Sequence, residues 1–166
     1  MNDVKLSVSV ASPVYASLEK MAKEVGQDTR DYIQRLLTQH VLNKNAIDDD
    51  AAERLQLTWR VIDKCVCVAR KICRDGRFNE HITLDVFRQC ADDCSWKEDY
   101  TRYIKGGVYK HGNSVIGAKI CTGIGGVSMK YSNGNSKRKS VSGEIIDSYT
   151  LYESFDPEAV RDSGSS

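Results

Sequence analysis

Apolar and polar residues alternate along "KLSVSV", residues 5–10, with the two-residue period of a strand that buries one face. Leu6, Val8 and Val10 fall on one side, and Lys5, Ser7 and Ser9 on the other. The period then changes. In "ASPVYASLEKMAKEVG" Val14, Leu18, Met21 and Val25 recur at helical spacing, with Ser12 as the expected N-cap, Pro13 at the first helical position and Gly26 as the stop. "QDTRDYIQRLLTQHVL" predicts a second helix, capped by Asp28, with Ile33, Leu36, Leu37 and Val41 as its apolar stripe. The polar, acidic "NKNAIDDDAAE" interrupts the pattern and reads as a linker. A longer helix carries Leu55, Trp59, Ile62, Val66, Ala69 and Cys73 as far as "RDGRF". Thr83 is the expected cap of "LDVFRQCADD", and Ser95 with Glu98 has capping-box spacing before "DYTRYIKGG". Ile116, Ile120, Ile124 and Val127 predict a helix over residues 114–127. Finally, "VSMKYSNGNSKRKSVSGEIIDSYTLY" predicts two strands around a polar turn, with "NGN" at the tip and the basic "NSKRKS" on the same loop.

The first strand poses a problem of hydrogen bonding. Nothing nearby can pair with it as a hairpin, and a strand with one buried face needs partners for its backbone. A strand, a helix, a turn and a helix within about 40 residues also hold too little core to fold alone. A second copy supplying an antiparallel strand answers both needs, leaving a two-stranded ribbon with a polar outer face. In strand phase, helix phase and turn, "KLSVSVASPVYASLEKMAKEVGQDTRDYIQRLL" resembles the ribbon-helix-helix (MetJ/Arc-type) DNA-binding family over about residues 4–42. The resemblance implies an intertwined homodimer whose ribbon enters the major groove of double-stranded DNA. Lys5, Ser7 and Ser9 would then face base edges, and the second helix's N-terminus would approach a phosphate. Family members often carry Ser or Thr as that helix's cap. Here Asp28 holds the position, which moves the expected phosphate contact to Thr29. Serines read bases weakly, so DNA shape or a second contact surface is expected to share the specificity.

Charge distribution points to that second surface. Net charge is only +1, yet residues 102–143 contain no Asp or Glu while carrying Arg102, Lys105, Lys110, Lys119, Lys130, Lys137, Arg138 and Lys139. A basic block beside an acidic tail suits a polyanionic partner. Helices followed by a basic hairpin are similar, in element order, to winged-helix domains of phage and mobile-element replication proteins. On that reading Lys119, Lys130, Lys137, Arg138 and Lys139 contact phosphates, and affinity falls steeply with salt.

The remaining chemistry is sparse. The six cysteines lack C-x-x-C spacing and the three histidines lie apart from them, so free thiols are expected and no metal site. "TGIGG" lacks the Lys-Ser/Thr of a phosphate loop. No nucleophile–base–orienter set is evident, so neither catalytic residues nor a cofactor are expected. No apolar run suits a membrane helix and the start lacks a secretory layout, so a cytoplasmic protein is expected.

The expected architecture is mainly α with short β. Residues 1–45 form a ribbon-helix-helix unit, 46–54 an acidic linker, 55–156 an α+β winged-helix-like domain and 157–166 a disordered tail. The leading functional expectation is a sequence-specific transcriptional repressor acting by occlusion, with further oligomers on DNA in prospect. A DNA-organising protein of a phage or plasmid would instead favour arrays of sites. An antitoxin would hold its toxin through the C-terminal half.

Overall fold

The computed structural model describes residues 7–25, 27–105 and 112–161. The chain divides into two compact units, Met1–Asp48 and Asp49–Ser166. It is mainly helical with a small β part.

Unit 1 holds α1, Ser12–Glu24, packed on α2, Thr29–Asn43. Ala11, not Ser12, is the N-cap of α1; Ser12 already lies in the first turn beside Pro13. Asp28 caps α2 as expected, its side chain accepting from the Arg30 backbone N–H at 2.9 Å. Lys5 and Leu6 of the expected strand, and the expected stop Gly26, lie outside the described residues. Residues 7–10 form no strand within the single chain.

Burial in this unit is meagre. Ala22 and Leu42 are its only buried residues among those described. Val8, Val10, Val14, Tyr15, Met21, Val25, Leu36 and Leu37 are all exposed, Val8 at 67 % and Leu37 at 55 %. Among the described residues, unit 2, more than twice as long, adds only Val127 and Tyr131 to the large apolar side chains left in water.

Unit 2 is built around α3, Asp49–Arg74, which packs against α4 (Ile82–Ala91), α5 (Cys94–Lys105), α6 (Gly112–Ile124) and a 3-10 turn at Pro157–Val160. Residues 49–54, expected as linker, are therefore helix: Asp49 and Asp50 sit in the favourable first turn and Ala51 is buried. The start of the expected disordered tail is likewise ordered. Asp156 caps the 3-10 turn through the Glu158 N–H, and Val160 inserts into the core.

The buried side of α3 runs through Leu57, Val61, Cys65, Val68, Ile72 and Cys73, with Ala69. Leu55, Trp59, Ile62 and Val66, expected as its core stripe, lie on a half-buried flank. Trp96 on α5 donates its indole N–H to the Val61 carbonyl at 3.2 Å, stacks on Tyr100 at 4.9 Å and meets Phe87 edge-on. Two expected caps are replaced. Asn79 Oδ1 receives the His81 N–H ahead of α4, while Thr83 is buried inside its first turn. At α5 the acceptor is Asp93, bonded by the N–H groups of Ser95 and Trp96, rather than Ser95 itself.

The glycines of "TGIGG" serve packing and termination. Gly123 lies so close to α3 that a Cβ there would stand 2.5 Å from Val66 Cγ1. Gly125, at φ +58°, ends α6 in a Schellman turn: its N–H bonds the Thr122 carbonyl and the Gly126 N–H the Cys121 carbonyl. Arg70 Nε donates to the Gly123 carbonyl at 2.8 Å, satisfying another helix-end acceptor. Because α6 stops here, Val127 is 47 % exposed rather than part of the expected apolar stripe.

Four short strands follow: β1 (Val127–Ser128), β2 (Arg138–Ser140), β3 (Ser148–Thr150) and β4 (Tyr152–Ser154). β1 pairs antiparallel with β4, β2 with β3, and Lys130 bridges Ser136. The expected pair of strands is thus three segments that exchange partners at a central triangle. Met129 N donates to Leu151 O, Leu151 N to Lys137 O, and Lys137 N to Met129 O, at 2.8–2.9 Å. Each segment pairs with one neighbour before this point and the other after it. The triangle satisfies the backbone groups that the exchange would otherwise leave open.

Candidate nucleic-acid interface

Register decides which polar side chains share a face. The pairs Lys130↔Ser136, Arg138↔Thr150 and Ser140↔Ser148 place residues 130, 136, 138, 140, 148 and 150 on one side by strand alternation. Their contacts agree. Lys130 Nζ lies 2.8 Å from Ser136 Oγ, Ser136 Oγ lies 3.2 Å from Ser128 Oγ, and Arg138 donates to Ser148 Oγ at 3.0 Å. The result is a strip of hydroxyls around two cations, with no carboxylate among its members. Each cation donates to a hydroxyl, a neutral acceptor, rather than to a carboxylate.

The opposite side carries Lys137 and Lys139. Lys137 Nζ sits 5.9 Å from the Tyr131 ring centroid, and Lys139 is cross-strand to the buried Tyr149. "KRK" is therefore not a loop presenting three cations together. It belongs to the strand segment after the turn, and alternation separates Arg138 from its neighbours. The turn itself is residues 131–135, with "NGN" at the tip as expected.

Lys139 flanks a cleft of about 430 Å³ with Asn79, His81, Leu84, Asp85, Arg88, Val141 and Tyr149. Its polar groups are largely paired with one another or with their neighbours. Arg88 is bonded to Glu144, Asn79 Nδ2 donates to Asp85 at 2.7 Å, and His81 shares a hydrogen bond with the Tyr149 hydroxyl through Nδ1 and meets Glu80 through Nε2. Burial pushes the Tyr149 hydroxyl above its ordinary pKa, the wrong direction for a nucleophile.

The other expected contacts lie elsewhere. Ser7 and Ser9 are exposed ahead of α1, and Lys5 is outside the described residues. Thr29 opens α2 and is half-buried, but the nearby Arg30 N–H is already taken by Asp28. Lys119 is on α6, not on the sheet, and is half-buried. Ser128, Ser136, Ser148 and Thr150 were missed as site residues. A signal was present for Ser128, Ser148 and Thr150 as polar residues at alternate positions in "VSMKYS" and "DSYTL", whereas "SKRKS", polar throughout, gave none for Ser136.

The cysteines form no disulfide among the described residues. Cys65 and Cys90 are buried with their sulfurs 3.9 Å apart, and that contact together with burial holds the Cys65 thiol far above its ordinary pKa. No helix is long and apolar enough to cross a membrane among the described residues. Comparison of the chain with family models, curated proteins and solved structures gives no match.

Proposed function

We propose that the protein is a dimeric regulator that binds double-stranded DNA in a sequence-dependent manner and represses by occlusion. Two copies of unit 1 pair through residues 5–10, and the basic sheet of unit 2 contacts phosphates beside the site read by the ribbon. The observation that carries this reading is the apolar surface of unit 1. Val8, Val10, Val14, Met21, Leu36 and Leu37 are exposed in a single chain. A second copy aligns matching residues against them and supplies a strand for residues 5–10. A surface this apolar in so small a unit otherwise favours aggregation.

The sheet's strip supports the second half of the reading. Lys130 and Arg138 with four serines and Thr150 offer cations and hydroxyl donors, the groups that position a protein on a phosphate backbone. On this reading the strip positions the protein through phosphates, and specificity falls to the ribbon and to DNA shape.

The test is light scattering for oligomeric state together with footprinting on the DNA around the protein's own gene. The expected result is a dimer protecting one or two discrete sites. Substituting Lys5 and Ser7 with Ala should remove preference for those sites over random duplex. Substituting Lys130 and Arg138 with Ala should weaken all duplex binding alike and lower the salt slope by about 2 per chain, or about 4 for the dimer. A monomer with an uncovered N-terminal segment would end this proposal, as would equal protection of every sequence.

A further inference from the structure

We infer that the tip of the hairpin in unit 2 holds an unstacked base of single-stranded nucleic acid against the ring of Tyr131. The inference rests on reading the sheet as a nucleic-acid surface, but not on the N-terminal dimer.

Tyr131 is 51 % exposed and takes no part in the hydrophobic core. It is held at the base of a closed turn. Its N–H bonds the Asn135 carbonyl at 2.8 Å, its carbonyl receives the Gly134 N–H at 2.9 Å, and Asn133 Oδ1 accepts the Asn135 N–H at 3.0 Å. Gly134, at φ +82°, permits that closure. The backbone that carries the ring is therefore set in advance and loses little freedom on binding.

The surroundings define the ligand's chemistry. Lys137 Nζ lies 5.9 Å from the ring centroid, and Lys130 and Arg138 lie on the reverse side of the same hairpin. The sequence has no carboxylate anywhere in residues 102–143. An exposed aromatic ring beside one ammonium group, with Ser and Asn at the tip, matches a base face joined to a phosphate. Within a duplex each base face is covered by its neighbours, and only edges are offered in the grooves. A face becomes available where a strand is single or locally opened, and stacking on it tolerates any sequence.

The experiment measures fluorescence anisotropy of the full chain with a labelled oligothymidylate and, in parallel, with a labelled duplex. Tyr131→Ala, Tyr131→Phe and the wild-type protein are compared across a salt series. Oligothymidylate affinity should fall about tenfold in Tyr131→Ala and stay within about twofold of wild type in Tyr131→Phe. The salt slope should be the same in all three, because the ring carries no charge. Tyr131 is exposed, so unfolding followed by tryptophan fluorescence should not change in either variant.

Failure to bind oligothymidylate, or binding equally tight in Tyr131→Ala, overturns the inference. If duplex binding persists in that case, the DNA-binding proposal stands without it. If oligothymidylate is held through Tyr131 while no duplex is bound, the duplex reading falls and this inference remains.

Discussion

Replacing Gly123 with Ala tests the closest approach in unit 2. The added Cβ would stand 2.5 Å from Val66 Cγ1 and 3.5 Å from Val66 Cβ and Cγ2. Ordinary van der Waals contact begins about 1 Å further out. Valine in a helix has one strongly preferred χ1, so Val66 cannot swing clear without strain. Either α3 and α6 separate or Val66 leaves its rotamer, and overpacking of this kind costs about 1–3 kcal/mol. Against this, Gly→Ala in a helix gains up to about 1 kcal/mol. The net expectation is a loss of about 1 kcal/mol, which for an m-value near 2 kcal/mol/M lowers the urea midpoint by about 0.5 M.

Both tryptophans, Trp59 and Trp96, lie in unit 2, so their fluorescence follows this unit alone. The decisive measurement is the double-mutant cycle with Val66→Ala. That change costs stability on its own but opens the space the new methyl needs. In its background Gly123→Ala should become neutral or stabilising, giving a favourable coupling of about 1–2 kcal/mol. A midpoint that rises in Gly123→Ala alone, as at an unhindered helical glycine, would refute the argument. So would additive effects in the pair.

In unit 1, Met21→Glu or Leu37→Glu should turn a dimer into a monomer by light scattering while leaving the tryptophan-detected unfolding of unit 2 unchanged. A chromogenic disulfide reagent should modify Cys67 and Cys94 quickly and Cys65, Cys73 and Cys90 only after unfolding, since the first two are exposed and the rest buried, with the Cys73 thiol pushed up to about 11 by burial. Hydrogen bonding and attraction from Arg60 hold Asp99 below its ordinary carboxylate range. Its stabilising effect is complete above the unfolded value near pH 4 and is lost as pH falls through the lower folded value. The midpoint of unit 2 should therefore drop on acidification below about pH 4, less steeply in Asp99→Asn; an equal slope in the two proteins excludes this pair as a contributor.

What the sequence revealed depends on how local each determinant is. Helices α5 and α6 announced themselves because each buries a single stripe, Trp96, Tyr100 and Tyr103 in one and Ile116, Ile120 and Ile124 in the other. The centre of the α3 stripe was harder to read. A helix covered by three others and a 3-10 turn carries apolar residues around a wide arc, and periodicity cannot say whether 55–59–62–66 or 57–61–65–68–72 faces inward. Both runs keep helical spacing, and only the partners choose between them. The glycines of "TGIGG" show the same limit. Low helix propensity marked them as unusual, but the reason for Gly123 is Val66, distant in sequence and invisible to any local pattern.

The candidate interface follows from a related distinction. Its charge was legible as a run without carboxylates, because composition needs no geometry. Its division into two faces was not, because "SKRKS" read as a loop carries no alternation. Once Met129, Lys137 and Leu151 close their backbone triangle, parity is fixed through the segment: Ser136, Arg138 and Ser140 turn one way, Lys137 and Lys139 the other. Lysine and arginine at consecutive positions thus serve separate surfaces. The hydroxyl strip offers dispersed donors suited to a continuous phosphate backbone, whereas Lys137 beside Tyr131 offers one cation next to one ring. Those two arrangements favour different states of a nucleic acid, so the Lys130/Arg138 and Tyr131 variants should separate duplex from single-strand affinity rather than weaken both together.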